Sequence, residues 1–249
     1  MNIGIVGSGN MATALVRGWG RPVLCTDPVH TRAEALAAEV GGKALASNEQ
    51  VAREADIVVL CHKPAQLQQV AAEIGEHAKV VASILAATPL SSLRAAYPGR
   101  PIYRFIPALT AEVRMGAIVQ AADEEQDARL DAQVRELFAE LGTVVTLEDR
   151  LVDVATGLMS CAPAYIALIA EAQIDAGVRH GIPAEQASKL VVQTLAGTAE
   201  LLRRREHDTL SVRRAVASPG GLTARGLDAL ERAGIRAAFS DALDAVLGQ

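Results

Sequence analysis

The chain has 249 residues, of which 50% are apolar, 21% charged and only 3% aromatic, with a formal net charge of −5. That length holds one large domain or two smaller ones. The mild acidity argues against nucleic acid as the main partner, because phosphate binding needs a basic surface. Cys25, Cys61 and Cys161 are widely spaced and form no C-x-x-C pair, which suits a reducing compartment and predicts a cytoplasmic protein. His30, His62, His77, His180 and His207 form no H-x-x-x-H or Cys/His cluster, so no metal site is expected.

The chain opens on "NIGIV", a short apolar β-branched run that reads as a strand buried on both faces. "GSGNMA", Gly7 to Ala12, follows and leads into the helical pattern "MATALVRGW". This is G-x-G-x-x-A at a strand-to-helix junction. Gly7 permits the tight turn, Gly9 lets a pyrophosphate approach the backbone, and Ala12 allows close helix–strand packing. An ordinary glycine turn has the same local pattern. The next strand, "PVLCT", ends at Asp27. An acid there accepts hydrogen bonds from an adenosine ribose and repels a 2′-phosphate, which favours NAD. His30 and Arg32 leave room for NADP. Asp27 equally suits a turn start with Pro28, or a cap for "TRAEALAAEV".

Alternation continues through "ADIVVLCHKP", "AQLQQVAAEI", "KVVASIL", "PLSSLRAAY", "PIYRFIP", "GAIVQA" and "DARLDAQVRELFAELG". Strands alternating with helices predict a parallel, doubly wound Rossmann-type sheet. Its ligands should bind beyond the carboxyl ends of the strands, where Gly7, Asp27, Lys63 and Ala86 fall.

After "GTVVTLED" the strand signals stop, and the rest reads as all-helical. The expected division is 1–148 for dinucleotide binding and 149–249 for a helical substrate and dimerisation domain. Residues 154–170 carry no charge but are broken by Gly157 and Pro163, so a buried helix is expected and not a membrane span. The two long helices from Pro163 and Pro183 are apolar over more than one face. A domain of about a hundred residues has difficulty covering both, which predicts packing against a second copy. Cys161, just before Pro163, reads as a buried structural thiol. Glu171 and Asp175 read as surface or interface carboxylates.

"VASPGGLTARGLDALE", residues 216–231, places a turn that cannot be helical directly before an amphipathic helix. Standing alone, Ser218 or Thr223 in such a turn reads as a plain N-cap. Together with "IGIVGSGNMATAL", "ASNEQVAREADIVVLCHKP", "SILAATPLSSL" and "TGLMSCAPAYIALIAEAQIDAGVRHGIP", it resembles the pyrroline-5-carboxylate reductase family nearly end to end. The resemblance implies reduction of a cyclic imine to proline with NADH or NADPH. It implies a homodimer, and higher oligomers built of dimers. It places Gly7, Gly9, Asn10, Met11, Ala12, Asp27, Asn48, Lys63 and Pro64 at the cofactor, with Asn48 against a ribose and Lys63-Pro64 beside the nicotinamide half. Val216, Ser218, Gly220, Gly221 and Thr223 are placed at the substrate, with Thr223 bonded to the ring nitrogen.

The loop's chemistry suits that substrate. Unpaired N–H groups at a helix start attract its carboxylate, Gly220 and Gly221 leave the approach free of Cβ atoms, and a Thr hydroxyl both donates and accepts. Several positions depart from the family's usual residues. Ala108, Leu109 and Thr110 stand where Asn-Thr-Pro is usual. Met159-Ser160-Cys161-Ala162 replaces Ser-Gly-Ser-Gly, Ala217 replaces Thr, and Leu222 replaces a smaller residue or Thr. These changes leave open a related oxidoreductase for another small imine or 2-keto acid, or a dinucleotide-binding protein without turnover.

Overall fold

The computed structural model describes residues 1–123 and 125–248. Contacts divide the chain into two compact units, Met1–Pro163 and Ala164–Gln249. In the first, strands and helices follow one another as β1 (Ile3–Val6), α1 (Asn10–Trp19), β2 (Leu24–Thr26), α2 (His30–Glu39), β3 (Lys43–Ala44), α3 (Asn48–Glu54), β4 (Ile57–Leu60), α4 (Leu67–Ile74), β5 (Val81–Ser83), α5 (Leu90–Ala96), β6 (Ile102–Pro107), β7 (Gly116–Ala121), α6 (Ala128–Ala139), β8 (Gly142–Leu147) and α7 (Val152–Ala155). The sheet order is β3-β2-β1-β4-β5-β6-β7-β8.

Two apolar clusters, one on each face of the sheet, explain the continuous apolar runs. Along β1, Ile3 and Ile5 enter one cluster while Val6 enters the other. Along β4, Ile57 and Val59 share the first cluster and Val58 and Leu60 the second. A strand covered on both sides has no polar face to alternate with.

The sheet is not wholly parallel, contrary to expectation. β6 and β7 pair antiparallel, with Ile106 opposite Val119, while β7 and β8 are parallel again. Only residues 108–115 join β6 to β7, including a 3-10 turn at Leu109–Val113. That is too short for the crossover a parallel pair requires. The two-residue β3 went unread because it is too short to display a period, and the seven-residue α3 also went unread.

The second unit is helical. The helices are α8 (Ala162–Arg179), whose first two residues belong to the first unit, α9 (Ala184–Arg204), α10 (Thr209–Val216), α11 (Leu222–Arg232) and α12 (Ile235–Leu247). α10 packs on α9, and α11 on α12. Within the single chain the long helices are not buried: among the described residues none of α8 is, and only Ala187 of α9 is. Leu168 is 65% exposed and Leu190 61%. By length and composition alone, the helical run Asp149–Arg179 is apolar enough to cross a membrane. Tyr165, Leu168 and Ile169 of α8 form an apolar groove with Ile235, Ala238, Phe239 and Ala242.

Candidate active site

The carboxyl ends of β1, β2 and β4 converge on one corner of the first unit. Gly7 has φ +99°, and a Cβ there would lie within 3 Å of the Cys61 carbonyl and the His62 nitrogen. Only glycine lets this turn press against the end of β4. Gly9 is the N-cap of α1, with extended backbone and no side-chain cap, and nothing lies within 4 Å of where its Cβ would stand. The first N–H groups of α1, at Asn10, Met11 and Ala12, are therefore available to an anion. Ala12 itself is buried under the helix.

Asp27 reaches from the end of β2 to this turn. Its Oδ2 accepts from Ser8 N at 2.8 Å and its Oδ1 from Val29 N at 2.9 Å. It starts a turn, as one reading had it, but does not cap α2, whose N-cap is Val29 without a side-chain bond. Each carboxylate oxygen keeps a lone pair for a hydroxyl. Ser8 Oγ is buried and has no partner among the described residues, a hydroxyl that a bound group could satisfy. Open helix donors, an acid at the β2 end and an orphan hydroxyl fit a dinucleotide.

Asn48 opens α3, where Ser47 Oγ accepts from Gln50 N at 3.2 Å. The Asn48 amide donates to Glu73 Oε2 at 2.6 Å, leaving its carbonyl oxygen free for a ribose. Lys63 and Pro64 follow β4, and Lys63 is exposed. The neutral His62 ring donates from Nδ1 to the Lys63 carbonyl at 2.9 Å. Burial holds the His62 pKa below its usual value, opposed by that bond and by Glu73. Burial also raises the Cys61 thiol and pushes Cys25 up to about 11, so neither is a thiolate at neutral pH.

Beside this corner, the turn from β5 to α5 holds Ala87 at φ +50°. A left-handed alanine costs about 1–2 kcal/mol, and no helix ends here to account for it. Thr88 is buried, and its hydroxyl donates to the Ala86 carbonyl at 3.0 Å. Leu90 N, at the start of α5, donates to Asp149 Oδ2 at 3.0 Å. The fully buried Arg104 on β6 donates to Asp149 Oδ1 at 2.7 Å and Asp153 Oδ1 at 2.5 Å. One unusual segment meets the residue just before another: Ser160 Oγ donates to the Pro107 carbonyl at 3.1 Å. Thr156–Ser160 forms a π-turn, with Cys161 N donating to the Thr156 carbonyl at 3.2 Å. Cys161 is half-buried, not fully buried as expected. Sequence reasoning missed Ser8, Ala87, Asp149 and Asp153. The last two stand four apart after β8, but nothing nearby announces Arg104 as their partner.

The second unit carries the other candidate loop. α10 ends at Val216, and Ala217 to Gly221 turn the chain into α11. Gly221 N donates to the Ser218 carbonyl at 3.0 Å, and Gly220 has φ +69°. Gly221 is the N-cap of α11 and no side chain caps it. The plain-cap reading of Ser218 or Thr223 is thereby overturned. Gly221 has a further reason to be glycine, since a Cβ would collide with Ser218 Oγ. The open α11 donors lie beside an exposed Thr223 and a Leu222 that is 80% exposed. Glu171 and Asp175 are exposed in the single chain.

Comparison with known proteins covers both units. Residues 149–249 match the family described as pyrroline-5-carboxylate reductase dimerisation, and residues 2–87 match NADP oxidoreductase coenzyme F420-dependent. The chain is 36% identical to the pyrroline-5-carboxylate reductase of Thermus thermophilus and 32% to that of Synechocystis, each over 98% of this chain and 95% of the relative. Among solved structures it is similar to 1-pyrroline-5-carboxylate reductase from Streptococcus pyogenes (TM-score 0.90, 29% identity, 100% and 97% of the two chains covered). It is also similar to the NADP-bound Plasmodium falciparum pyrroline carboxylate reductase (TM-score 0.87, 26% identity, 99% and 95% covered).

Proposed function

The chain belongs to the pyrroline-5-carboxylate reductase family, and from that premise we propose how its own residues carry the reduction of 1-pyrroline-5-carboxylate to proline. The enzyme is an NAD(P)H-dependent oxidoreductase acting on an imine. The observation that carries the site assignment is the α11 start, a glycine-capped helix end with no side chain on its donors. The substrate carboxylate binds there, drawn by the free N–H groups and the positive end of the helix dipole. Ser218, Gly220, Gly221 and Val216 shape the loop around it. The Thr223 hydroxyl bonds the ring nitrogen and orients the imine. Such an imine has a pKa near neutrality, so the loop needs no strong acid to hold it protonated.

The nicotinamide supplies the hydride when bound. Gly7, Gly9, Asn10, Met11 and Ala12 hold the pyrophosphate on the α1 donors. Asp27 accepts from the adenosine ribose, which favours NADH over NADPH. Asn48 lies at a ribose, and Lys63 with Pro64 bounds the nicotinamide half. We draw the functional boundary at 148/149, supported by the start of the dimerisation match at residue 149. That domain supports homodimer formation, and we read the exposed apolar face of α8 as part of that interface, not as a membrane span. We extend this to higher oligomers built of dimers. Three free cysteines suit work in the cytoplasm.

The test is to mix the purified protein and its Asp27→Ser variant with 1-pyrroline-5-carboxylate and follow oxidation of NADH and NADPH. We expect turnover at ~1–10³ s⁻¹, faster with NADH, and a shift toward NADPH of about tenfold in the variant. If both cofactors bind but neither is oxidised, the changes at Ala108, Leu109, Met159 and Leu222 have redirected or ended the chemistry.

A further inference from the structure

Four non-glycine residues among those described have positive φ: Ala87, Arg114, Glu206 and His207. Three have local explanations. Arg114 closes the 3-10 turn after β6, and its guanidinium caps the end of α1 by donating from Nε to the Gly18 carbonyl at 2.6 Å. Glu206 and His207 lie just past the end of α9. Ala87 ends nothing. It lies in the turn that leaves the carboxyl end of β5, on the edge of the sheet where a dinucleotide binds.

A strained residue persists only when its surroundings fix it. Here the fixing groups can be named. On the strand side, Leu85 N donates to the Ser83 hydroxyl at 3.2 Å. Inside the turn, Thr88 Oγ holds the Ala86 carbonyl. On the helix side, the carboxylate of Asp149 accepts from Leu90 N. Asp149 comes from far along the chain and is itself held by Arg104, which bonds both its side chain and, at 3.2 Å, its main-chain carbonyl. Arg104 has no solvent exposure, and its second hand is taken by Asp153. The two oxygens of one carboxylate thus join a buried cation on β6 to the first N–H of α5.

We propose that Asp149 is a positioning residue of the cofactor site: anchored by Arg104, its carboxylate fixes the start of α5 and so holds the strained Ala86-Ala87-Thr88 turn against the nicotinamide half of the bound dinucleotide. Asp149 is also the first residue of the dimerisation match, so the same contact ties the entry to that domain to the cofactor turn. This rests on the reductase reading, since it requires a dinucleotide over the β5 end.

The experiment measures dissociation constants of NADH and NADPH by their fluorescence for the full-length protein and for Asp149→Ala, Ala87→Gly and the double variant. The KM of the imine and the oligomeric state are recorded alongside. Wild type that binds neither dinucleotide would sink the reductase reading itself, before any variant is considered. Given wild-type binding, we expect Asp149→Ala to weaken it about five- to tenfold with the imine KM within about twofold. Ala87→Gly removes the strain that drives the turn away once its anchor is lost. Asp149→Ala should therefore cost much less when combined with Ala87→Gly than in wild type. Equal cost in both backgrounds, or an unchanged dissociation constant in Asp149→Ala, overturns the proposal. Should Asp149→Ala fail to fold, Asp149→Asn keeps the shape and one acceptor, and the same comparison applies with a smaller expected loss.

Discussion

The two units solve burial differently. The first closes its core within one chain: two apolar clusters cover both faces of an eight-stranded sheet, and its strands carry almost no exposed apolar side chains beyond Val145. The second leaves Leu168, Leu190, Val192, Leu222 and Leu230 at least half in solvent. A sheet covered by its own helices is complete, whereas α8 and α9 present faces that need another surface. The lesson is that the sequence pattern alone cannot say from which chain a helix's covering will come.

The strongest way to break the contrast is to charge the α8–α12 groove. Leu168→Asp should weaken the dimer by at least ~100-fold, because an unpaired carboxylate buried at an interface costs several kcal/mol. Light scattering checks the assembly and calorimetry checks the cofactor. The first unit should go on binding NADH. Loss of NADH binding together with the dimer would show that the first unit is not self-sufficient. A dimer unaffected by the charge would remove the groove from the interface.

A narrower cut separates the two loops. Thr223→Val preserves shape and removes the hydroxyl; kcat should fall by ~10²-fold or more, with the NADH dissociation constant within about twofold. Kinetics equal to wild type would take Thr223 out of the mechanism.

The smallest effect is a pH dependence seated in the first unit. His62 is held neutral, its folded pKa below the usual 6.5 chiefly by burial. The unfolded chain therefore binds the proton more readily, and stability is present above about pH 6.5 and lost as pH falls toward the folded pKa. His62→Gln should flatten the acid side of a melting-temperature profile by a few degrees at most. An unchanged slope between about pH 7 and pH 5 would mean that other groups set it.

Most of the first unit was legible because its signals are local. "NIGIV" before "GSGNMA" specifies strand, turn and helix within a dozen residues, and Gly7 then does what the spacing required. The reversed β7 escaped, since an apolar run such as "GAIVQA" reads the same in either direction and only the shortness of the 108–115 connection betrays it. At the site, the turn before α11 was legible as a break with unpaired N–H groups, but the sequence left a side-chain cap as an equal local reading. Ser218 and Thr223 are good capping residues, and only geometry shows that neither caps. Ala87 and the Arg104–Asp149 pair were invisible. One is a backbone angle, and the other joins residues 45 positions apart.

Arg104 also sets an order for the making of the molecule. As the chain leaves the ribosome, β6 is complete well before residues 149 and 153 have been added. Until they arrive, the guanidinium has no carboxylate to accompany it out of water, and sealing it inside would cost several kcal/mol. The sheet can gather its apolar strands early, yet its last polar position must stay wet until the beginning of the dimerisation segment is synthesised. The first unit is thus finished by residues that fall inside the dimerisation match, and its compact body runs past them to Pro163.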